Sequence, residues 1–185
     1  KIYYSYVLNP RIFNEVMTAY RGTVEAAFTE DEKTAFRQEP KKIWSWIEAN
    51  IALCPEAEQE SVYFVPAASL AMRKSSELSR KILFVAIART FGIPARLNPM
   101  DGAMEYLMPD PAKQGADAYA DSHFQAVVEG KAKESHLVFT DAGMAWTYGQ
   151  NWSVARLEKK GYFTLELEEL SWENGKLGVE VDPGV

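Results

Sequence analysis

The sequence predicts an α+β fold in which N-terminal helices and a buried central helix pack on an antiparallel sheet. Three observations carry this prediction. Apolar residues recur at helical spacing before residue 54, and a largely apolar segment occupies 75–96. Segments in which apolar and polar residues alternate, separated by turn signals, follow. Helices that precede strands in this order are typical of α+β proteins.

The first helix is predicted from a start signal near the N-terminus. Residues 3–7 alternate weakly and fit a strand or an extended lead-in. Asn9 then fits an N-cap and Pro10 a first helical position, and apolar residues follow at helical spacing as far as Val24. We therefore expect a helix from Asn9 to Val24.

The next two helices have clearer boundaries. Thr29 and Glu32 have the spacing of a capping box, and the helix that they open is expected to end near Pro40. A third helix is predicted over 41–53 because its apolar residues keep the same spacing.

The apolar segment that follows predicts one buried helix closed by a glycine. Ser75 or Ser76 fits the N-cap, and Glu77 places a carboxylate in the first turn, where the helix dipole stabilises negative charge. Apolar residues cover nearly every face, as in a helix at the centre of a core. Gly92 fits the left-handed position after the last turn, and Pro94 cannot continue the helix.

Strands and hairpins are predicted after residue 96. A hairpin is expected to turn at Asp101-Gly102, and alternation predicts a strand over 122–129 with His123 near its start. One face of this strand is predicted to hold Phe124, Ala126 and Val128, and the other His123, Gln125 and Val127. A further strand over 137–139 is expected to end at Asp141.

The last strands are predicted as two hairpins. Segments 152–157 and 162–167 are expected to pair across a turn at residues 159–161, with Leu165 and Leu167 facing inward. Asn174-Gly175 is a strong hairpin signal that leads into a strand over 177–181.

Composition excludes several classes of function. The 185 residues suit one domain with a core, and the net charge of −6 argues against a nucleic-acid or anionic membrane surface. One cysteine excludes an internal disulfide, and two histidines leave too few ligands for a zinc site. We therefore expect no cofactor, no metal, no nucleic acid and no membrane span. The start at Lys1, in mid-pattern, predicts a piece of a longer protein.

Residues 89–96 read R-T-F-G-I-P-A-R and resemble the R-x-x-G-I-P-A-R signature of the transglutaminase-like superfamily, thiol enzymes with a papain-like fold. The resemblance implies a core domain over 1–150. Residues 151–185 would finish its sheet or begin a following β-sandwich. We expect Arg89 and Arg96 to be structural, with Arg96 bonding backbone carbonyls where helix, corner and sheet meet.

The resemblance also implies the positions of a catalytic triad. The family's cysteine lies twelve positions before the arginine that matches Arg89, and Glu77 stands there. His123 matches the family's histidine at the start of a strand, and Asp141 matches the aspartate on the next strand. A glutamate cannot perform thiolate chemistry, so the implied site has lost its nucleophile.

Several other interpretations stay open. Ser76 or Ser79 could act as nucleophile with His123 and Asp141, although serines at a helix start commonly serve as caps. Cys54 is a weaker candidate because it follows a helix, whose dipole disfavours a thiolate. His123 could equally be a surface histidine and Asp141 a turn residue.

The preferred hypothesis is a catalytically inactive transglutaminase-like domain that serves as a binding or architectural module for peptide or glycan. The segments W-S-V-A-R at 152–156 and G-Y-F-T-L at 161–165 also resemble large transglutaminase-like proteins of gut Bacteroidetes. That resemblance implies a cell-envelope or periplasmic setting and flanking domains of the same polypeptide as partners. The alternatives are an active serine-dependent amide hydrolase, and an unrelated domain whose Gly-Ile-Pro corner is coincidental.

Overall fold

The computed structural model describes residues 2–54, 64–119, 122–128, 135–140, 147–158, 161–165, 167, 172 and 174–181. Within these residues, helices dominate the first half of the chain and strands the second. This mixture confirms the α+β class, whereas the papain-like core stays a prediction. Each helix in the described part of the chain is too short or too polar to span a membrane.

The helices all lie before residue 120 in the described part of the chain. A π-helix spans Tyr4–Leu8 and a 3₁₀-helix spans Gly115–Tyr119. The α-helices are α1 (Arg21–Ala26), α2 (Glu30–Gln38), α3 (Lys41–Asn50), α4 (Pro66–Met72) and the central helix α5 (Glu77–Thr90).

The described strands form four small sheets. They are β1 (Ala52–Leu53), β2 (Lys74–Ser75), β3 (Ala95–Leu97), β4 (Met104–Tyr106), β5 (Gln125–Ala126), β6 (Ser135–Thr140), β7 (Ala155–Glu158), β8 (Gly161–Thr164) and β9 (Lys176–Val181). β1 and β2 pair in parallel, whereas β3-β4-β5, β6-β9 and β7-β8 are antiparallel.

The chain divides into two compact units. The helical unit comprises Lys1–Leu97 with Ala103–Glu129, and the strand unit comprises Asn98–Gly102 with Gly130–Val185. This division falls near residue 130, whereas the sequence predicted a core domain over 1–150 followed by 151–185. That domain boundary stays a prediction.

The first predicted helix is wrong over most of its length, because α1 begins only at Arg21. Two side chains bind backbone N–H groups between Asn9 and Arg21. The Arg11 N–H donates to Asn9 Oδ1 at 3.0 Å, and the buried Glu15 carboxylate accepts the N–H of Ile12 and of Phe13. Such local bonds offer the backbone an alternative to the helix. The extended lead-in over 3–7 is also wrong, since the chain forms the π-helix there.

The capping box of α2 is confirmed. Glu32 N–H donates to Thr29 Oγ1 at 3.3 Å, and Thr29 N–H donates to Glu32 Oε2 at 2.8 Å. α2 ends at Gln38, two residues before Pro40, as the sequence predicts. The predicted third helix is also confirmed as α3, except that its last residues form β1 instead.

The central helix is the core of the helical unit. Its side chains from Ile82 to Ala88 are all 0% exposed, as its apolar faces predict. Gly92 has φ +81°, and the Ile93 N–H donates to Ala88 O at 2.9 Å, which closes the helix. Helices α1, α3 and α4 and strand β3 pack around this helix.

The β3-β4 hairpin is confirmed, but β5 is shorter than predicted. β5 covers only two residues, and the chain bends at Val127 and Val128. Val127 is buried, whereas Ala126 and Val128 are exposed, so the strand expected over 122–129 is interrupted by this bend.

The strand unit contains the two turns that the sequence predicts. β7 and β8 form the predicted hairpin, and Leu165 and Leu167 are each 2% exposed. Asn174 and Gly175 have φ +50° and +73°, as a turn of this sequence requires. β9 then pairs with β6, beginning with Lys176 opposite Thr140.

The capping box predicts opposite effects for the same substitution at two sites of α2. Thr29→Ala removes the cap and is expected to lower the free energy of unfolding by about 1 kcal/mol. Thr34→Ala, at an exposed position inside the helix, is expected to be neutral or slightly stabilising because alanine has the higher helix propensity. Urea denaturation followed by circular dichroism measures both; equal effects would contradict the capping role.

Candidate functional site

The candidate site is the first turn of the central helix, residues 75–79, which we call the helix entrance. Ser76 is the N-cap and is 2% exposed, and Ser79 is 0% exposed. Ser79 N–H donates to Ser76 Oγ at 3.2 Å, and Ser76 Oγ–H donates to Ser79 Oγ at 2.8 Å. The Ser76 hydroxyl therefore caps the helix, and the Ser79 hydroxyl is bonded inside the protein.

Backbone groups from other elements also bind this serine cluster. The Phe64 N–H donates to Ser79 Oγ at 3.0 Å, and the Cys54 N–H donates to Ser75 O at 2.8 Å. The hydroxyl oxygens of Ser69 in α4 and Ser75 in β2 lie 2.9 Å apart, within hydrogen-bond distance. The cluster therefore joins α4, β1, β2 and the central helix through satisfied buried polar groups.

Glu77 lies at the helix entrance with its carboxylate in solvent. Its side chain is 60% exposed, and its Oε1 lies 3.3 Å from Lys81 Nζ, one turn further along the helix. A carboxylate in the first turn is stabilised by the helix dipole, and a pair with this spacing adds a few tenths of a kcal/mol. Glu77 therefore suits the helix start electrostatically.

Two arginine–tryptophan pairs connect α3 with the region around the helix entrance. The Arg80 guanidinium lies 5.2 Å from the centre of the Trp44 ring, and Arg73 lies 5.2 Å from Trp46. The Arg80 side chain is partly buried. Both guanidinium groups are oriented by cation–π contacts.

His123 is exposed and lies two residues before β5. Its neighbour Phe124 is held on both sides. The Arg96 guanidinium lies 3.9 Å from the centre of the Phe124 ring, and the Tyr6 ring meets Phe124 edge-on at 5.0 Å. Arg96 Nε also donates to Glu105 Oε2 at 2.8 Å. This stack fixes the backbone beside His123.

The structure brings Ser76, Glu77 and Ser79 together at the helix entrance. Among the described residues, neither serine hydroxyl hydrogen-bonds to His123; each bonds to the other serine. Asp141 lies outside the described residues, so its predicted role stays a prediction. Cys54 is partly buried and follows β1 rather than the end of a helix.

Arg89 is the most heavily bonded side chain of the signature segment. Its Nε donates to Ala95 O at 2.9 Å, and its Nη1 donates to Asn9 O at 2.9 Å and Arg11 O at 2.7 Å. Burial lowers the pKa of Arg89 to about 10, so the guanidinium remains charged at neutral pH. Arg89 therefore occupies the structural role that the sequence assigned to Arg96.

The ion pair between Arg96 and Glu105 was not predicted from the sequence. A two-residue turn at Asp101-Gly102 would place Arg96 opposite Leu107, whereas the structure places Arg96 opposite Glu105 in β3 and β4. Opposite charges at such positions are expected to pair across an antiparallel ladder. Within the described residues, no group of three histidine, cysteine or carboxylate side chains is placed to hold a metal ion.

Comparisons of the chain with protein-family models, with curated proteins and with solved structures each find no match. The transglutaminase-like assignment therefore stays a prediction from the signature residues.

The bonds of Arg89 predict a large loss of stability when the guanidinium is removed. Arg89→Met leaves three buried or partly buried carbonyls without their charged donor and is expected to cost about 3 kcal/mol or more in the free energy of unfolding. Arg11→Met is the matched control, since Arg11 is exposed and only its backbone carbonyl is involved. Denaturant unfolding measures both, and a loss below 1 kcal/mol, as at ordinary surface sites, would contradict this role of Arg89.

Proposed function

We propose that the chain is a catalytically inactive transglutaminase-like domain that binds peptide or glycan within a larger cell-envelope protein. Its papain-like scaffold would present the region around the helix entrance as a binding surface. Flanking domains of the same polypeptide would be its neighbours.

One observation carries this proposal. Glu77 stands where the signature implies a nucleophilic cysteine, and its carboxylate is exposed and paired with Lys81. A carboxylate in an exposed ion pair has neither the thiol nor the buried surroundings that thiol-dependent acyl transfer needs. A family site at this position would keep its place at a helix start but lack its reactive group.

The serine-dependent alternative has less support. It requires Ser76 or Ser79 to reach a substrate carbonyl with help from His123 and Asp141. Both serines are almost completely buried and their hydroxyls are already hydrogen-bonded, Ser76 as the helix cap and Ser79 to Ser76 and the Phe64 N–H, so a substrate could meet them only after the helix entrance opened.

The arginine–tryptophan pairs support a binding role. An arginine held over an indole ring loses little further conformational entropy when it binds a ligand. Its N–H groups suit the carboxylates and carbonyls of a peptide, and partly exposed indole rings suit the apolar faces of sugars. Arg73 and Arg80 lie just before and just after the helix entrance in the sequence.

Labelling with an active-site serine probe separates the two functions. We expect a fluorophosphonate to leave the folded chain unlabelled and amide substrates to remain intact, because neither serine is accessible. Ser79→Ala is the matched control for any labelling that occurs. Stoichiometric labelling that this substitution abolishes would favour the hydrolase and contradict the inactive module.

Restoring a thiol at the helix entrance tests the ancestral site directly. The thiol introduced by Glu77→Cys is expected to have a pKa below the usual value of about 8.5, because it lies in the first turn of a helix. Glu48→Cys is the matched control, since Glu48 is exposed in the last turn of α3, where the dipole has the opposite effect. The pH dependence of iodoacetamide alkylation measures both pKa values.

The same variant tests whether His123 belongs to the site. If the His123 imidazole lies beside the introduced thiol, it contributes to the lowered thiol pKa. Adding His123→Ala to Glu77→Cys is then expected to bring that pKa back towards its usual value. An unchanged alkylation profile would separate His123 from the helix entrance and would remove the main support for a family-type site.

A further inference from the structure

We infer that Asn174 is a site of spontaneous deamidation, which converts the turn before β9 into a mixture of aspartate and isoaspartate. This inference is independent of the proposed function. It depends on the Asn174-Gly175 turn of the strand unit, a signal that the proposed function does not use.

The turn is open to the reaction. Asn174 and Gly175 are both exposed, and a side-chain carbon added at Gly175 would meet no atom within 4 Å. Glycine presents no side chain that would hinder its own backbone nitrogen from approaching the neighbouring amide carbon. Within the described part of the chain, no hydrogen bond ties down the Asn174 side chain.

The other asparagines of the chain lack this combination, because glycine follows only Asn174. Asn9 and Asn98 precede prolines, which have no backbone N–H. After Asn50, the Ile51 N–H donates to Ile47 O at 2.8 Å and is already engaged.

The two remaining asparagines are hindered in other ways. Asn151 Oδ1 accepts the Thr147 N–H at 2.9 Å, which holds that side chain in its own loop. Asn14 is followed by Glu15, whose side chain is buried and accepts two backbone N–H bonds. The structure therefore singles out Asn174.

The chemistry needs only water. The deprotonated backbone nitrogen of Gly175 attacks Cγ of Asn174, a C–N bond forms, and ammonia leaves with the amide nitrogen. Water then opens the five-membered succinimide at one of its two carbonyls. Opening at the side-chain carbonyl gives aspartate, and opening at the backbone carbonyl gives isoaspartate, whose main chain passes through the former side-chain carbon.

The modification would act on the pairing of β6 with β9. Each product carries one more negative charge than asparagine, and isoaspartate also lengthens the backbone just before Lys176. Lys176 forms the first pair with Thr140, and the next residues of β9 include Leu177 and Val179, which are 3% and 6% exposed. Because register decides which side chains are buried, a longer turn is expected to weaken the pairing of β6 with β9.

Trypsin digestion with mass spectrometry tests the inference on the intact folded chain. Cleavage after lysine releases residues 161–176, whose one asparagine is Asn174, and cleavage after arginine releases residues 12–21, whose one asparagine is Asn14. After incubation at neutral and mildly alkaline pH, we expect the 161–176 fragment to deamidate several-fold faster than the 12–21 fragment, and faster at the higher pH. Equal rates in the two fragments would overturn the inference.

Two variants complete the test. Asn174→Gln is expected to abolish the mass shift in the 161–176 fragment, because its longer side chain cannot close a five-membered ring; a persistent shift would place the reaction elsewhere. A methyltransferase specific for isoaspartate is expected to label the aged wild-type chain but not freshly prepared Asn174→Asp, which has the charge without the longer backbone. Equal labelling of the two would exclude isoaspartate as a product.

Discussion

The Arg89 guanidinium lies where the N-terminal segment, the last turn of the central helix and strand β3 meet, and it bonds to carbonyls on both sides of this junction. A buried arginine is tolerated only when its N–H groups are satisfied, so these carbonyls must stay in place. Arg21 reinforces the junction by donating from Nη1 to Arg89 O at 2.9 Å. The direction of the Gly-Ile-Pro corner, and with it the β3-β4 hairpin, depends on this arrangement.

The opposite end of the same helix is stabilised by a cap and by a charge. Ser76 caps the first turn with its hydroxyl, and Glu77 places its charge where the dipole favours it. Those features stabilise a helix start in any protein, whether or not its ancestor carried a thiol there. A helix whose first turn is closed by caps and an exposed ion pair suits recognition better than covalent catalysis.

The sequence predictions were correct where a feature depends on residues close together in the chain. The capping box at Thr29, the glycine closure at Gly92 and the turn at Asn174 depend on neighbours within a few residues, and each was predicted correctly. The helix expected after Asn9 failed because the buried Glu15 carboxylate binds two backbone N–H groups there. Similarly, the strand expected over 122–129 is only two residues long because the chain bends at Val127 and Val128.

The sequence by itself determined that helices dominate the first half of the chain and strands the second, the central helix with both of its ends, and the position of Glu77 in the first turn. These features arise from local propensity, capping and apolar spacing, which the chain carries wherever it folds. Tertiary structure alone decided that Arg89 rather than Arg96 bonds the backbone at the corner, and that Arg96 stacks on Phe124. Both arginines could serve either role chemically, and only the approach of segments distant in the chain assigned each guanidinium its partners.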